Sequence, residues 1–322
     1  MKNKNNSKSI ILSFFLFFLS IAIQANELFG GIEIGSKGVK MTVIDVINAK
    51  KGIYELKNFW TENVGIATGI SIDGNLIEED IELASTVVLT NYTKLLNEFK
   101  IADKNIFIVA SSGVGMAKNT DILVDRIKQK TKKPLEIISS QLESKLLFKG
   151  CVPPKSFDGS LLLDIGGGNT KGGYIDTYND DNLVFNPMVV DVGTITLTEE
   201  VNKKNRNNTV FEYSEHLFNY LPKLREKFDM MYKLKPKSLE KQNIYLSGGA
   251  VWAFYTLFNG KEAEENFNVI NFEEIVYHKY ALENNFKKYE ELAKTDKEVA
   301  KVIKTYSLKH LMAANNILIT MK

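Results

Sequence analysis

The stretch Leu161–Gly173, LLLDIGGGNTKGG, restricts the fold more than any other part of the chain. An apolar run ends in an acid, Asp164, and three consecutive glycines follow. Glycine weakens a strand and bares its backbone, so such a run marks a main chain that another group approaches closely or that turns with positive φ. Much earlier, IEIGSKGVKMTV repeats the plan around Glu33: apolar strand, acid, glycine turn, second strand. Two hairpins of one kind point to a fold made from a duplicated unit.

The periodicity between them agrees. LFGGIEI, VKMTVIDV and GIYELKNFW read as a three-stranded meander. Glu79–Lys100 is helical, Asn105–Ser112 a strand, Asn119–Thr131 a helix, LEIIS a strand and Ser140–Gly150 a helix, giving the order βββαβαβα. PPKSFDG, residues 153–159, is the clearest break. The order then begins again with SLLLDIGG, TKGGYID and LVFNPMVVDV as strands, Phe211–Tyr232 as a helix, NIYLSGG as a strand, and helices toward the end. With 322 residues, 44% of them hydrophobic, the chain can build two cores. The expectation is an α/β protein with domains at 26–152 and 153–322.

Facing each other across a cleft, the hairpins would offer backbone N–H groups to a phosphate from both sides, with Glu33 and Asp164 available to a divalent cation. Either hairpin alone reads equally well as a tight turn at a strand end. Both, in register with the repeat, make the cleft the place to look for chemistry.

The first 25 residues read as a secretory signal: a lysine-bearing head, an apolar run of about 15 residues from Ser9 to Ile23, and a small residue at Ala25. An uncleaved anchor is the alternative, although the run is short of the roughly 20 apolar residues of a span. Mass spectrometry of the chain from its native envelope is expected to find Asn26 first; residues 1–25 still attached would overturn this. Removing Lys2, Lys4 and Lys8 takes three charges from the formal +2, leaving −1. That balance gives no electrostatic case for nucleic acid, or for a membrane surface after cleavage. Cys151 is the only cysteine, so no intramolecular disulfide forms, and it reads as a small buried side chain. His216, His278 and His310 have no zinc-ligand spacing.

IEIGSKGVKMTVIDV, VASSGVGMAKN, LEIISSQLESKLLFKG, LLLDIGGGNTKGGYID, VVDVGTITLTEE and IYLSGGA resemble, in that order, the successive motifs of the exopolyphosphatase and guanosine pentaphosphate phosphohydrolase (Ppx/GppA) family. The resemblance implies two RNase H-like, actin-like domains with mixed five-stranded sheets flanking a cleft, and hydrolysis of a terminal phosphoanhydride with Mg²⁺ as cofactor. It places Glu33 and Asp164 at the metal, and Gly35, Ser36, Lys37, Gly166, Gly167, Gly168, Asn169 and Thr170 at the phosphate. Glu143 becomes the catalytic base; read from the residues alone it is an exposed helix acid. Gly248 and Gly249 match a nucleotide-side loop, the other reading being a strand-to-helix turn. A phosphorylated small molecule or short phosphate chain is the implied ligand and a homodimer is an allowed assembly; the periplasm as location follows from the signal reading of residues 1–25.

The chain departs from that pattern. Glu33 stands for an aspartate, Lys37 for an asparagine, Leu142 for an acid and Lys145 for an arginine, while Gly115 and Thr196 replace two further arginines. Loss of bidentate guanidinium groups disfavours long-chain polyphosphate. The chain also stops earlier than the family pattern, after NNILITMK. A non-catalytic phosphate- or nucleotide-binding protein on the same fold is therefore the second expectation.

Overall fold

The computed structural model describes residues 27–49, 53–178, 182–259 and 269–321, so the signal reading of residues 1–25 lies outside the described residues. Strands β1 (Glu27–Ile34), β2 (Gly38–Asn48) and β3 (Ile53–Asn63) form the meander. Helix α1 (Glu78–Asn97), β4 (Ile106–Ala110), α2 (Thr120–Thr131), β5 (Glu136–Ile137) and α3 (Ser140–Cys151) follow. The sheet order is β3-β2-β1-β4-β5, with β4 parallel to β1. Alternation drives this layer. Ile32 and Ile34 of β1, Val39, Met41 and Val43 of β2, and Ile106 and Ile108 of β4 share a core with Ile81, Ala84, Val88 and Leu95 of α1 and Leu123 and Ile127 of α2.

The second half repeats the arrangement. Strands β6 (Ser160–Ile165), β7 (Thr170–Tyr178) and β8 (Asn182–Val190) lead through α4 (Thr194–Asn202) and α5 (Val210–Leu234) to β9 (Asn243–Ser247). Then come α6 (Gly249–Asn259), α7 (Phe272–Asn284), α8 (Lys287–Leu292), α9 (Lys297–Thr305) and α10 (Leu308–Thr320). The order β8-β7-β6-β9, with β9 parallel to β6, is that of the first sheet less its last strand. Among the described residues this sheet has the four strands that the periodicity predicts, where the family resemblance implies five, because the chain after β9 runs on in helices. Every residue of β6 is buried, since both of its faces are covered. Helix α10 is buried continuously from Leu311 to Leu318, as expected of a helix enclosed on all sides.

Helix α3 packs on the second sheet. Its Phe148 and Val152 join Leu162 of β6 and Ile175 of β7, with half-buried Cys151 beside them. Packing thus passes from one sheet to the other before α3, ahead of the Pro153–Gly159 break. No helix among the described residues is long and apolar enough to cross a membrane.

His278 of α7 is 1% exposed, with Nδ1 3.1 Å from the Tyr289 hydroxyl and its ring edge against Phe254. Burial pushes its pKa down from 6.5 to about 4. The unfolded chain takes up this proton near pH 6.5 and the folded chain only near pH 4. Stability is therefore expected to fall by up to about 3 kcal/mol between those values, read by urea titration against His278→Phe, in which the loss is smaller.

Candidate active site

The two hairpins follow one plan at their tips. In the first, Glu33 lies opposite Lys40, and the Gly35 N–H donates to the Gly38 carbonyl at 2.9 Å. In the second, Asp164 lies opposite Lys171, and the Gly166 N–H donates to the Asn169 carbonyl at 3.0 Å. The tips meet. A Cβ added to Gly167 would lie 3.1 Å from the Ser36 Cβ, and one added to Gly168 would lie 3.2 Å from the Gly113 Cα. The glycines therefore allow two turns and the loop after β4 to touch.

Helix α4 sets the direction of the second loop. Its first amides donate to loop carbonyls: Thr194 to Gly166 at 3.0 Å, and Ile195 to Gly167 at 2.8 Å. The Thr196 hydroxyl donates to the Gly168 carbonyl at 3.0 Å and accepts the Gly193 N–H at 2.8 Å. These are the orphan donors of a helix N-terminus, used here on a neighbouring loop. In a trans peptide the carbonyl and the following N–H point in opposite directions. Pulling the carbonyls of residues 166–168 onto α4 thus turns the amides of Gly167, Gly168 and Asn169 away from it, toward Ser36 and Gly113. A row of amides of this kind can act as a cradle for an anion. Gly193 is essential to it, because a Cβ there would lie 2.4 Å from the Gly167 carbonyl oxygen. Gly193→Ala is expected to cost about 1–3 kcal/mol in denaturant titration, since only backbone can move.

Beside the cradle lies a closed set of charges. Glu143 is buried, not exposed: its Oε2 accepts the Ser112 N–H at 2.9 Å and its Oε1 lies 3.1 Å from the Lys171 ammonium. Lys171 also reaches Asp164 Oδ2 at 3.1 Å and Asn169 Oδ1 at 3.3 Å, so all three of its N–H bonds have acceptors. Asp164 accepts the Ser247 hydroxyl on its other oxygen at 2.7 Å. Burial pulls the Lys171 pKa down, but Asp164 and Glu143 outweigh it and hold the ammonium above its ordinary value. The Asn169 amide ties the loop to the Ser112 hydroxyl at 3.1 Å. Lys40 is more open: its one hydrogen-bond partner among the described residues is Glu33, at 2.9 Å, and Asp164 and Lys171 also act on its charge.

These residues do not fit Mg²⁺. Among the described residues no three His, Cys, Asp or Glu side chains cluster as metal ligands. Glu33, Asp164 and Glu143 each already face an ammonium. A divalent ion 4 Å from such a group would meet repulsion of about 8 kcal/mol, twice the value for two unit charges near a protein surface.

The other candidates fall elsewhere. Lys37 leaves the tip, its ammonium 3.8 Å from the Tyr306 ring centroid with no hydrogen-bond partner, and burial lowers its pKa to about 8. Tyr306 also lies on the backbone of residue 249, where a Cβ would meet its hydroxyl at 2.0 Å. Gly248 has φ +98, and a Cβ there would lie 2.4 Å from the Ile165 carbonyl oxygen, so the strand-to-helix turn needs glycine and both glycines have a packing use. Trp252, Phe254, Tyr255 and Phe258 line the second core. Beyond the tips the cleft widens into a cavity of about 260 Å³, walled by Ile70, Met116 and Ile195 with Glu199 and Lys203 at its rim.

Sequence patterns alone do not single out Lys40, Lys171, Ser112 or Ser247. One signal for the lysines is present: each stands seven residues after its acid, in both hairpins.

A family model described as the Ppx/GppA phosphatase family matches residues 46–308. A Ppx/GppA family member of Aquifex aeolicus has a similar fold, at TM-score 0.64 and 20% identity, covering 92% of this chain and 89% of that one. An exopolyphosphatase from Cytophaga hutchinsonii superposes at TM-score 0.65 and 18% identity, over 91% and 89% of the two chains. Among curated relatives, a bifunctional 3-dehydroquinate synthase/phosphatase of Fusobacterium nucleatum subsp. nucleatum is 27% identical over 197 residues, 59% of this chain. A guanosine-5'-triphosphate,3'-diphosphate pyrophosphatase of Pseudoalteromonas translucida is 26% identical over 170 residues, 52% of this chain. The matches span 28% and 32% of those two proteins' own lengths.

Proposed function

Because the chain belongs to the Ppx/GppA phosphatase family, we propose that it hydrolyses the terminal phosphoanhydride of a phosphorylated small molecule or short phosphate chain in the cleft between its two sheets. The observation that carries this is Glu143, a buried carboxylate held by the Ser112 N–H and Lys171 beside the amide cradle. Each of its oxygens accepts one hydrogen bond and keeps a second lone pair for a water molecule.

In this reading the amides of Gly167, Gly168 and Asn169 receive the terminal phosphoryl group. Lys171 offsets one of the two negative charges of Asp164 and Glu143 and so weakens their repulsion of an anion. Water bound to Glu143 attacks phosphorus as the bridging P–O bond breaks; Glu143 takes the water proton, and the leaving oxygen departs with the bond's electrons. The lysine-bearing, apolar head of the chain supports an exported protein acting in the periplasm.

A second reading keeps the cradle without turnover, as a phosphate-binding protein. It is favoured by the saturation of Lys171, whose three donors already have acceptors. Phosphate release from triphosphate, pyrophosphate and nucleoside triphosphates tests the choice. Release that scales with protein concentration is expected, and its absence across the panel leaves the binding reading.

A further inference from the structure

We infer that the cleft takes its oxyanion on its own lysines and backbone amides, without a divalent cation, and that Lys40 is the residue that meets the ligand. The inference rests on the phosphate-cleft reading and goes further, to where the neutralising charge comes from.

The repeat places one ammonium over each loop. The Lys40 Nζ lies 3.9 Å from where a Cβ on Gly35 would stand, and the Lys171 Nζ 3.4 Å from the equivalent point on Gly166. Being strand residues opposite the two acids, both reach the tips from the cross-strand position. Their situations then diverge. Lys171 is 4% exposed and has spent all three donors on Glu143, Asp164 and Asn169. Lys40 has a half-exposed side chain and donates to Glu33 alone, leaving two N–H bonds that point at no acceptor among the described residues. Lys171 thus cancels carboxylate charge, and Lys40 has donors left for a tetrahedral oxyanion held on the amides of Gly167 and Gly168. A mobile ammonium is a point-charge phosphate binder of the ordinary kind. Glu33 then competes with the ligand for Lys40.

This reverses the expected effect of one substitution. If Glu33 were a metal ligand, Glu33→Gln would weaken anion binding. If it competes for Lys40, the same change removes a negative charge and frees the ammonium, so affinity holds or rises. Binding of methylenediphosphonate, which cannot be hydrolysed at its bridge, and of inorganic phosphate is measured calorimetrically with Mg²⁺ and with EDTA. Mn²⁺ alone is titrated by electron paramagnetic resonance.

The expected result is equal affinity in both buffers, Mn²⁺ that stays free, and Glu33→Gln no weaker than the parent. Lys40→Met is expected to be about 10- to 100-fold weaker, the loss of one or two charge-assisted hydrogen bonds, and Lys40→Arg is expected to recover most of it. Lys40 is partly in solvent, so these variants leave the fold intact. Binding that needs Mg²⁺, Mn²⁺ taken up with a dependence on Glu33 and Asp164, or Glu33→Gln weakened as far as Lys40→Met would overturn the inference while leaving the phosphate cleft standing. No binding by the parent in either buffer removes the cleft reading and the inference together.

Discussion

Lys171→Met is expected to lower folding stability by about 3–5 kcal/mol at neutral pH, the cost of removing one partner from a buried charge set. Asp164 and Glu143 are both 8% exposed, and Lys171 is the ammonium that touches both at 3.1 Å. Without it two carboxylates face each other across an apolar side chain. Ser247 and Ser112 remain as donors but carry no charge. Urea titration of parent and variant measures the difference, and Lys171→Arg should recover only part of it, since a planar guanidinium cannot reproduce three tetrahedral donors. A loss below about 1 kcal/mol, the range of an exposed ion pair, would show that the set is open to water.

The second large effect is on turnover. Glu143→Gln is expected to slow phosphate release by about 10²- to 10⁴-fold, the usual loss of a general base. The amide is nearly isosteric, and one of its atoms still accepts a hydrogen bond from Ser112 or Lys171. Lys171 keeps Asp164 and Asn169, so the cradle and its anion affinity should survive. Steady-state phosphate release and calorimetric binding on the same preparations separate the two properties. Undiminished turnover in Glu143→Gln moves proton transfer to another group and leaves the cradle unaffected.

The paired hairpins, the two acids and the placement of the first eight elements are legible in the amino-acid sequence, because strand alternation, helical spacing and glycine at turns are all local signals. Three features are not. Helix α4 is hidden because TITLTEEV is rich in β-branched residues. Of its five buried residues, Thr194, Ile195, Leu197, Thr198 and Val201, two carry hydroxyl side chains. The lysines are hidden because a lysine in a strand reads as solvent-facing until pairing is known; only the register Glu33↔Lys40 and Asp164↔Lys171 gives the seven-residue spacing its meaning. Glu143 is reached through the family resemblance of LEIISSQLESKLLFKG, whereas its burial, set by the packing of α3 on the far sheet, is hidden because the residues alone read as an exposed helix acid.

The seat of α3 carries a kinematic consequence. Its Phe148 and Val152 anchor it to β6 and β7, so Glu143, Lys171 and Asp164 belong to one rigid body although Glu143 precedes the break in sequence. Ser112, on the loop after β4, belongs to the other. A swing of one half against the other would keep the charge triad assembled, while the Ser112 N–H would part from Glu143 and the Ser112 hydroxyl from Asn169, along with the contacts at the loop tips and of Lys37 with Tyr306. Hinge motions of this kind run on microseconds to milliseconds. Such a motion would change one hydrogen-bond donor on the acid, which makes the backbone amide at residue 112 the place to look for it in relaxation-dispersion NMR.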